Sequence, residues 1–307
     1  MIQEIKCKYK RIGLSRICRL FGVSRQAHYQ HGWQQDCKST EEQLIISEVI
    51  QIRQHHKSMG TRKLYEKLQE FLWEHQIKIG RDALFDMLAS HQLLVRRRRR
   101  RISTTMSYHR FHKWPNLIKG FIPQAPNELY VSDITYLKTA SGFVYISLVT
   151  DAYSHKIVGY HVAESLETSA SIQALGMALS GLDGGPESHA KLIHHSDRGI
   201  QYCSTEYVKI LQKHGIDISM TESGDPKDNA IAERVNGILK QEYLCHHKVE
   251  NLEQAKQALK TAVELYNSDR PHMSIDYKTP NQVHQTKQQT ERHWKNYYPK
   301  QLAVNQI

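Results

Sequence analysis

The 307-residue chain is poor in cysteine and lacks any long apolar run. Its five cysteines, Cys7, Cys18, Cys37, Cys203 and Cys245, are odd in number and scattered, with no C-x-x-C pair, which disfavours a disulfide framework and a cysteine-built zinc site. The histidine pairs His28/His31, His109/His112 and His246/His247 lack partner cysteines at finger spacing and read as solvated side chains. The longest apolar stretch, around Phe143 to Val149, is far short of the roughly 20 residues of a membrane span, and no signal-peptide core opens the chain. A soluble, intracellular protein is the expectation. No internal repeat is present either.

Charge is plentiful and uneven. Lysine and arginine exceed aspartate and glutamate by 42 to 31, a formal net charge of +11. Residues 1–120 hold 24 basic and 10 acidic side chains, and residues 121–307 hold 18 and 21. A basic front joined to a slightly acidic body suggests a polyanion-binding module ahead of a different activity, with nucleic acid the first candidate. The run Arg96, Arg97, Arg98, Arg99, Arg100 and Arg101 strengthens that expectation, because charges so densely packed repel one another unless phosphates or counterions neutralise them.

The front reads as helical units. In residues 1–35, apolar positions from Ile12 to Leu20 are followed by a break at Gly22, and Ser24 is placed to cap a second helix running to about His31. This helix-turn-helix layout would turn Arg25 and Gln26 toward a major groove. Residues 41–102 hold three more helices: one around Leu44 to Ile52, one opened by Thr61 after Gly60, and one opened by Gly80 and Arg81. Their polar faces offer Arg62, Lys63 and Arg81 to phosphates. Residues 103–125 lose periodicity and read as a linker, and residues 286–307 as a polar tail.

From Pro126 the pattern becomes strand-like. Three strands with short turns are followed by a helix over about Ser169 to Leu182, a short buried strand ending in Asp197, a helix over Thr205 to His214, a strand over Asp217 to Met220 and the helix IAERVNGILKQEYL. That order implies an α/β domain at 126–285, a mixed sheet flanked by helices. Asp133 lies within the first strand, Asp197 at the end of the central one, and Glu233 near the start of the long helix. Each alone reads as a surface or capping acid. Together they suggest a carboxylate cluster for two Mg²⁺ ions, with Mn²⁺ able to substitute, acting on a phosphodiester.

Between Asp197 and Glu233 lie 35 residues. This spacing resembles the D,D-35-E core of retroviral-type integrases and bacterial transposases. The strings SDITYL, VTDAYSHKIVGY, HHSDRGIQY, GDPKDNAIAERVNGILKQEYL and YNSDRPHMSIDYKTPNQV resemble, in order, the blocks of the second-frame product of the "insertion sequence three" transposase family, over residues 41–285. The resemblance implies a ribonuclease-H-like fold and DNA strand cleavage and joining, with Asp133, Asp197 and Glu233 as the metal-binding triad. It gives Lys240, seven residues after Glu233 and so on nearly the same helix face, a contact with the DNA end. Asn229 would cap the helix and orient Glu233, and Arg198 and Gly199 would shape the loop after the second aspartate. Asp151 matches a position outside the triad, and Tyr160 stands where relatives commonly carry Trp. The implied partners are terminal inverted repeats and target DNA, a homo-oligomer on DNA, and an upstream-frame partner or fusion. Rival readings are a non-enzymatic DNA-binding protein, either a repressor or a decayed transposase, and a nuclease that only hydrolyses.

Overall fold

A computed structural model describes residues 2–95, 111–182, 191–222 and 229–286. Arg96 to Arg101, part of the expected linker, the Gly184–Pro186 helix stop, most of the loop before Asn229, and the tail beyond Thr286 lie outside the described residues. Two compact units are formed, Met1–Gln54 with Lys67–Leu94, and His55–Glu66 with Val95–Ile307.

The first unit is helical. Helix α1 (Ile2–Lys8) precedes α2 (Leu14–Leu20), which buries Ile17 and Cys18 and ends before Gly22, whose positive φ of 68° suits a residue without a Cβ. Ser24 caps α3 by accepting the Ala27 N–H at 3.0 Å. Helix α3 does not stop near His31; it continues without interruption from Arg25 to His55. The chain there holds no proline, and Gly32, which disfavours a helix interior by only about 1 kcal/mol, is the sole weak position. Beyond α4 (Thr61–Lys67), helices α5 (Gln69–Glu74) and α6 (Arg81–Ser90) bury Leu72, Leu84 and Leu88, with Gly80 at the start of α6 as expected.

The second unit is built on a five-stranded mixed sheet in the order β3-β2-β1-β4-β5. Strands β1 (Leu129–Thr139), β2 (Gly142–Asp151) and β3 (Ile157–Ala163) form the antiparallel meander, joined by turns short enough to require it. Helix α7 (Thr168–Ser180) carries the chain back so that β4 (Ile193–Ser196) pairs parallel to β1, and α8 (Ile200–Cys203) with α9 (Thr205–Lys213) returns it to β5 (Asp217–Met220), parallel to β4. Helix α10 (Ala230–Ile238) follows, then α11 (Leu252–Ser268) and α12 (Pro280–Thr286).

Apolar cores cover both faces. On one, Val144, Ile146, Leu148 and Val162 of the sheet pack with Val235, Leu239, Leu259 and Val263 of the last helices. On the other, Tyr130, Val149, Ile218 and Met220 pack with Leu175, Tyr207 and Leu211. Helix α7 approaches β3 so closely that a Cβ on Gly159 would lie 2.0 Å from the Ala174 carbonyl oxygen. The four cysteines described, Cys7, Cys18, Cys203 and Cys245, are free. Among the described residues no helix is long and apolar enough to cross a membrane.

Candidate active site

The parallel ladder between β1 and β4 ends at the pair Ser132–Ser196. Asp133 and Asp197 are the next residues on each strand, so the register sets the two acids side by side, on strands about 4.8 Å apart. Burial first, then the charge of Asp197, push the Asp133 carboxyl up to about 7; Glu233 adds a weaker push, while hydrogen bonds from Asn236 and the Ile134 N–H oppose it. Asp133 therefore feels both of the other acids. Asp133 and Asp197 are half-buried, and Glu233 is exposed.

Helix α10 meets β1 along a polar stripe. Asn229, Glu233, Asn236 and Lys240 are spaced by four, three and four residues, which keeps them on one helical face. Asn229 Nδ2 donates to the Ser132 carbonyl at 2.9 Å, Asn236 Nδ2 to Asp133 Oδ2 at 2.7 Å, and Lys240 Nζ to Thr135 Oγ1 at 3.1 Å. The helix face thus lands on Ser132, Asp133 and Thr135 of β1, with Glu233 between two of its anchors. Asn229 does occupy the position before the helix, but its side chain makes no capping bond; the amide is turned to the strand instead. Asn236 was not singled out in the sequence, although its place one turn beyond Glu233 on the same stripe was the signal that could have found it.

Lys240 is half-buried, and its ammonium lies 4.1 Å from the centroid of the Tyr136 ring. Burial lowers its pKa and the Asp133 carboxylate raises it, with burial prevailing. The helix that carries it is not uniformly α. At Leu239–Tyr243 it widens to a π-helical turn, and a 3-10 turn, Leu244–His246, closes it.

Behind the acid on β4, Asp197 Oδ1 accepts the Gly199 N–H at 3.0 Å. A Cβ on Gly199 would lie 2.9 Å from that same oxygen. Glycine here leaves room for the Asp197 carboxylate, since its φ of −65° is open to any residue. Arg198 is half-buried beside it. Asp151 is fully buried and accepts the N–H groups of Asn127 and Ser154 and the Ser154 hydroxyl, which makes it the brace of a turn. Tyr160 is half-buried against the core on the α11 side.

The expected phosphate contacts are placed variously. Arg25 and Gln26 are exposed in the first turn of α3, with Arg25 over the Tyr29 ring. Arg62 is exposed, and Arg81 is exposed and bonded to Asp82 at 3.0 Å. Lys63 departs from the expectation. It points inward to Glu242 at 3.4 Å, beside Arg270, and burial, with Arg270, lowers its pKa to about 8. It follows the buried Thr61 and precedes the buried Leu64, so the first turn of α4 presents that side to the core. Glu242 in turn accepts two bonds of 2.8 Å from Arg270, which is 1% exposed.

A mixed sheet in this strand order, with two aspartates on adjacent central strands and a glutamate on the flanking helix, defines a polynucleotidyl transferase of the DDE type. Integrase core domain models match residues 123–226 and 214–280. The insertion element IS600 uncharacterized 31 kDa protein of Shigella sonnei is 34% identical over 270 residues, 86% of this chain and 96% of that protein. The chain belongs to the insertion-sequence-three family of transposases, which carry an integrase-like catalytic core. The transposase for insertion sequence element IS629, also of Shigella sonnei, is 27% identical over 265 residues, 84% of this chain and 86% of that protein. Among solved structures, the HTLV-2 integrase catalytic core domain in complex with magnesium aligns with 52% of this chain and 97% of that chain at 22% identity and a TM-score of 0.42.

Proposed function

We propose that this transposase binds the terminal inverted repeats of its own element, cleaves one strand at each end and joins the freed 3′ hydroxyl to a second phosphodiester. The observation that carries the reading is the Ser132–Ser196 pairing, which sets Asp133 and Asp197 at adjacent strands, with Glu233 on the face of α10 that Asn229 and Asn236 bind to β1. The donor set suits a hard divalent cation: all three side chains are carboxylates, and burial followed by the charge of Asp197 pushes the Asp133 carboxyl up to about 7, a penalty that a bound cation would relieve. Among the described residues no three His, Cys, Asp or Glu side chains already enclose an ion position, so the exposed Glu233 has to turn inward for ligation. When bound by Asp133, Asp197 and Glu233, a pair of Mg²⁺ ions, or Mn²⁺ in their place, supplies activation of the attacking oxygen and stabilisation of the leaving oxygen.

The chain's own residues do the positioning. Asn236 and the Ile134 N–H hold the two carboxylate oxygens of Asp133, and the Gly199 N–H holds Oδ1 of Asp197, which fixes how the two carboxylates are turned. Lys240 places a cation beside Asp133 to meet a DNA phosphate. Water attacks in line in the first step and the 3′ hydroxyl in the second, each displacing a 3′-bridging oxygen as the leaving group. Arg25, Gln26, Arg62 and Arg81 supply contacts to the duplex, and two or more copies bridge the element ends, with an upstream-frame partner adding end recognition.

The test is end cleavage by Asp133→Asn, Asp197→Asn and Glu233→Gln. Each is expected to abolish nicking and joining in Mg²⁺ while terminal-repeat binding persists; retained cleavage in all three overturns the assignment. Pre-cut ends joined by the wild type distinguish it from a nuclease that only hydrolyses.

A further inference from the structure

Ser132, next to Asp133, is bonded to both of the other acid-bearing elements. Its carbonyl accepts from Asn229, four residues before Glu233. Its hydroxyl lies 2.8 Å from Nε2 of His194, three residues before Asp197. The same Nε2 lies 2.9 Å from the Tyr207 hydroxyl, and Ser132 also supports the Tyr207 phenol oxygen. An imidazole nitrogen has one in-plane site, so the three groups share their protons as a closed ring. All of this is sealed from solvent: Ser132 and Tyr207 are 0% exposed and His194 is 1% exposed.

His194 needs a reason to be polar. Its neighbours on that side of the sheet are Tyr130, Leu192, Tyr202 and Ile218, an apolar and aromatic core in which a leucine or valine would pack without any polar group to satisfy. Its second nitrogen, Nδ1, has no hydrogen-bond partner among the described residues, so the ring is retained for what Nε2 does. Burial keeps it uncharged, which leaves a neutral, directional contact and no added charge behind the acids.

We infer that His194 and Tyr207 are positioning residues which, through Ser132, set the separation of Asp133 and Asp197 and so the affinity of the triad for divalent ions. This rests on the reading of the triad as the metal site. A partner that orients a ligand without touching the ion typically changes metal affinity by about 10- to 100-fold when removed.

The experiment is Mg²⁺ titration of the folded full-length chain by calorimetry, well below its unfolding temperature, with terminal-repeat binding in EDTA measured in parallel. His194→Leu keeps the volume and removes the contact; His194→Gln returns a polar atom to the reach of Nε2; His194→Asn places it nearer Nδ1. Tyr207→Phe removes one hydroxyl and serves if a His194 variant does not fold. The expected result is a loss of Mg²⁺ affinity of roughly tenfold in His194→Leu and His194→Asn, a smaller loss in Tyr207→Phe, near recovery in His194→Gln, and unchanged DNA binding in EDTA. Wild-type Mg²⁺ affinity in His194→Leu or, should that fail to fold, in Tyr207→Phe, alongside a loss in Asp197→Asn, overturns this inference alone. Unchanged affinity in Asp197→Asn overturns the metal reading and this inference with it.

Discussion

Asn236 donates its side-chain amide to Oδ2 of Asp133 at 2.7 Å, from a position one helical turn beyond Glu233. That bond stabilises the charged form of a carboxyl that burial and Asp197 drive toward neutrality. Asn236→Ala is therefore expected to raise the Asp133 pKa further, move the rising limb of the pH–rate profile for end cleavage upward, and lower the rate near pH 7 by about tenfold. DNA binding in EDTA should not change. A pH–rate profile identical to wild type would show that the bond does not tune Asp133.

The pH dependence of metal binding follows with a definite sign. With the Asp133 carboxyl at about 7, the metal-free site keeps a proton below that pH, and a cation has to expel it. Mg²⁺ affinity should fall about tenfold per pH unit below 7 and level off above it. The neighbouring Asp197 and Glu233 favour the proton and Lys240 opposes it. In EDTA the sign for folding is the same group read differently: ionising Asp133 disfavours the fold, with stability falling as pH rises from about 4 to about 7, so Asp133→Asn should raise the melting temperature at pH 8 and have little effect at pH 3.

Gly199→Ala isolates the Asp197 carboxylate. The backbone conformation accepts alanine, but the new methyl would sit 2.9 Å from Oδ1 and force that oxygen aside. Strand cleavage is expected to drop at least tenfold while thermal stability falls by only about 1 kcal/mol, at the low end for overpacking. Equal losses in cleavage and in the folded fraction would make the effect one of general instability.

Glu242 makes a prediction about stability. Burial pushes its carboxyl up, yet the paired bonds and charge of Arg270, then Lys63, bring it below the ordinary carboxylate range. Glu242→Gln leaves Arg270 buried without its counter-charge, a change that typically destabilises by about 3–5 kcal/mol. Because the folded pKa is lowered, the contribution is present at neutral pH and lost as pH falls below the ordinary carboxylate value through the lowered one, so the gap between the denaturant midpoints of wild type and variant should narrow as the solution is acidified. Lys63→Met should be far milder, since it removes one of two cations and an ammonium that burial already disfavours.

The sheet was legible because its signals are local, strand-like runs and short turns after Pro126, and the 35-residue interval is what pointed from Asp197 to Glu233 as a candidate partner. What escaped depends on direction in space. Lys63 reads as a surface cation until α4 turns it toward Glu242, and His194 reads as one of two adjacent histidines until the β1–β4 register puts Ser132 beside it. The continuity of α3 escaped because a turn signal at Gly32 is too weak to end a helix whose flanking turns are sound. The π-helical turn at Leu239–Tyr243 has no sequence mark; within it Lys240 bonds to Thr135 and Glu242 to Arg270.

That turn makes the stretch from Glu233 to Glu242 a ruler of fixed length. One residue added or removed within it would rotate everything downstream by about 100° about the helix axis, swinging either the carboxylate from Asp133 or the buried anion from Arg270. The loop between the 3-10 turn and α11, residues 247–251, is anchored as well: the Val249 and Glu250 carbonyls accept from Ala140 and Ser141, and Asn251 caps α11. The interval from Glu233 to Glu242 should therefore behave as an element whose residue count, more than its composition, is under constraint.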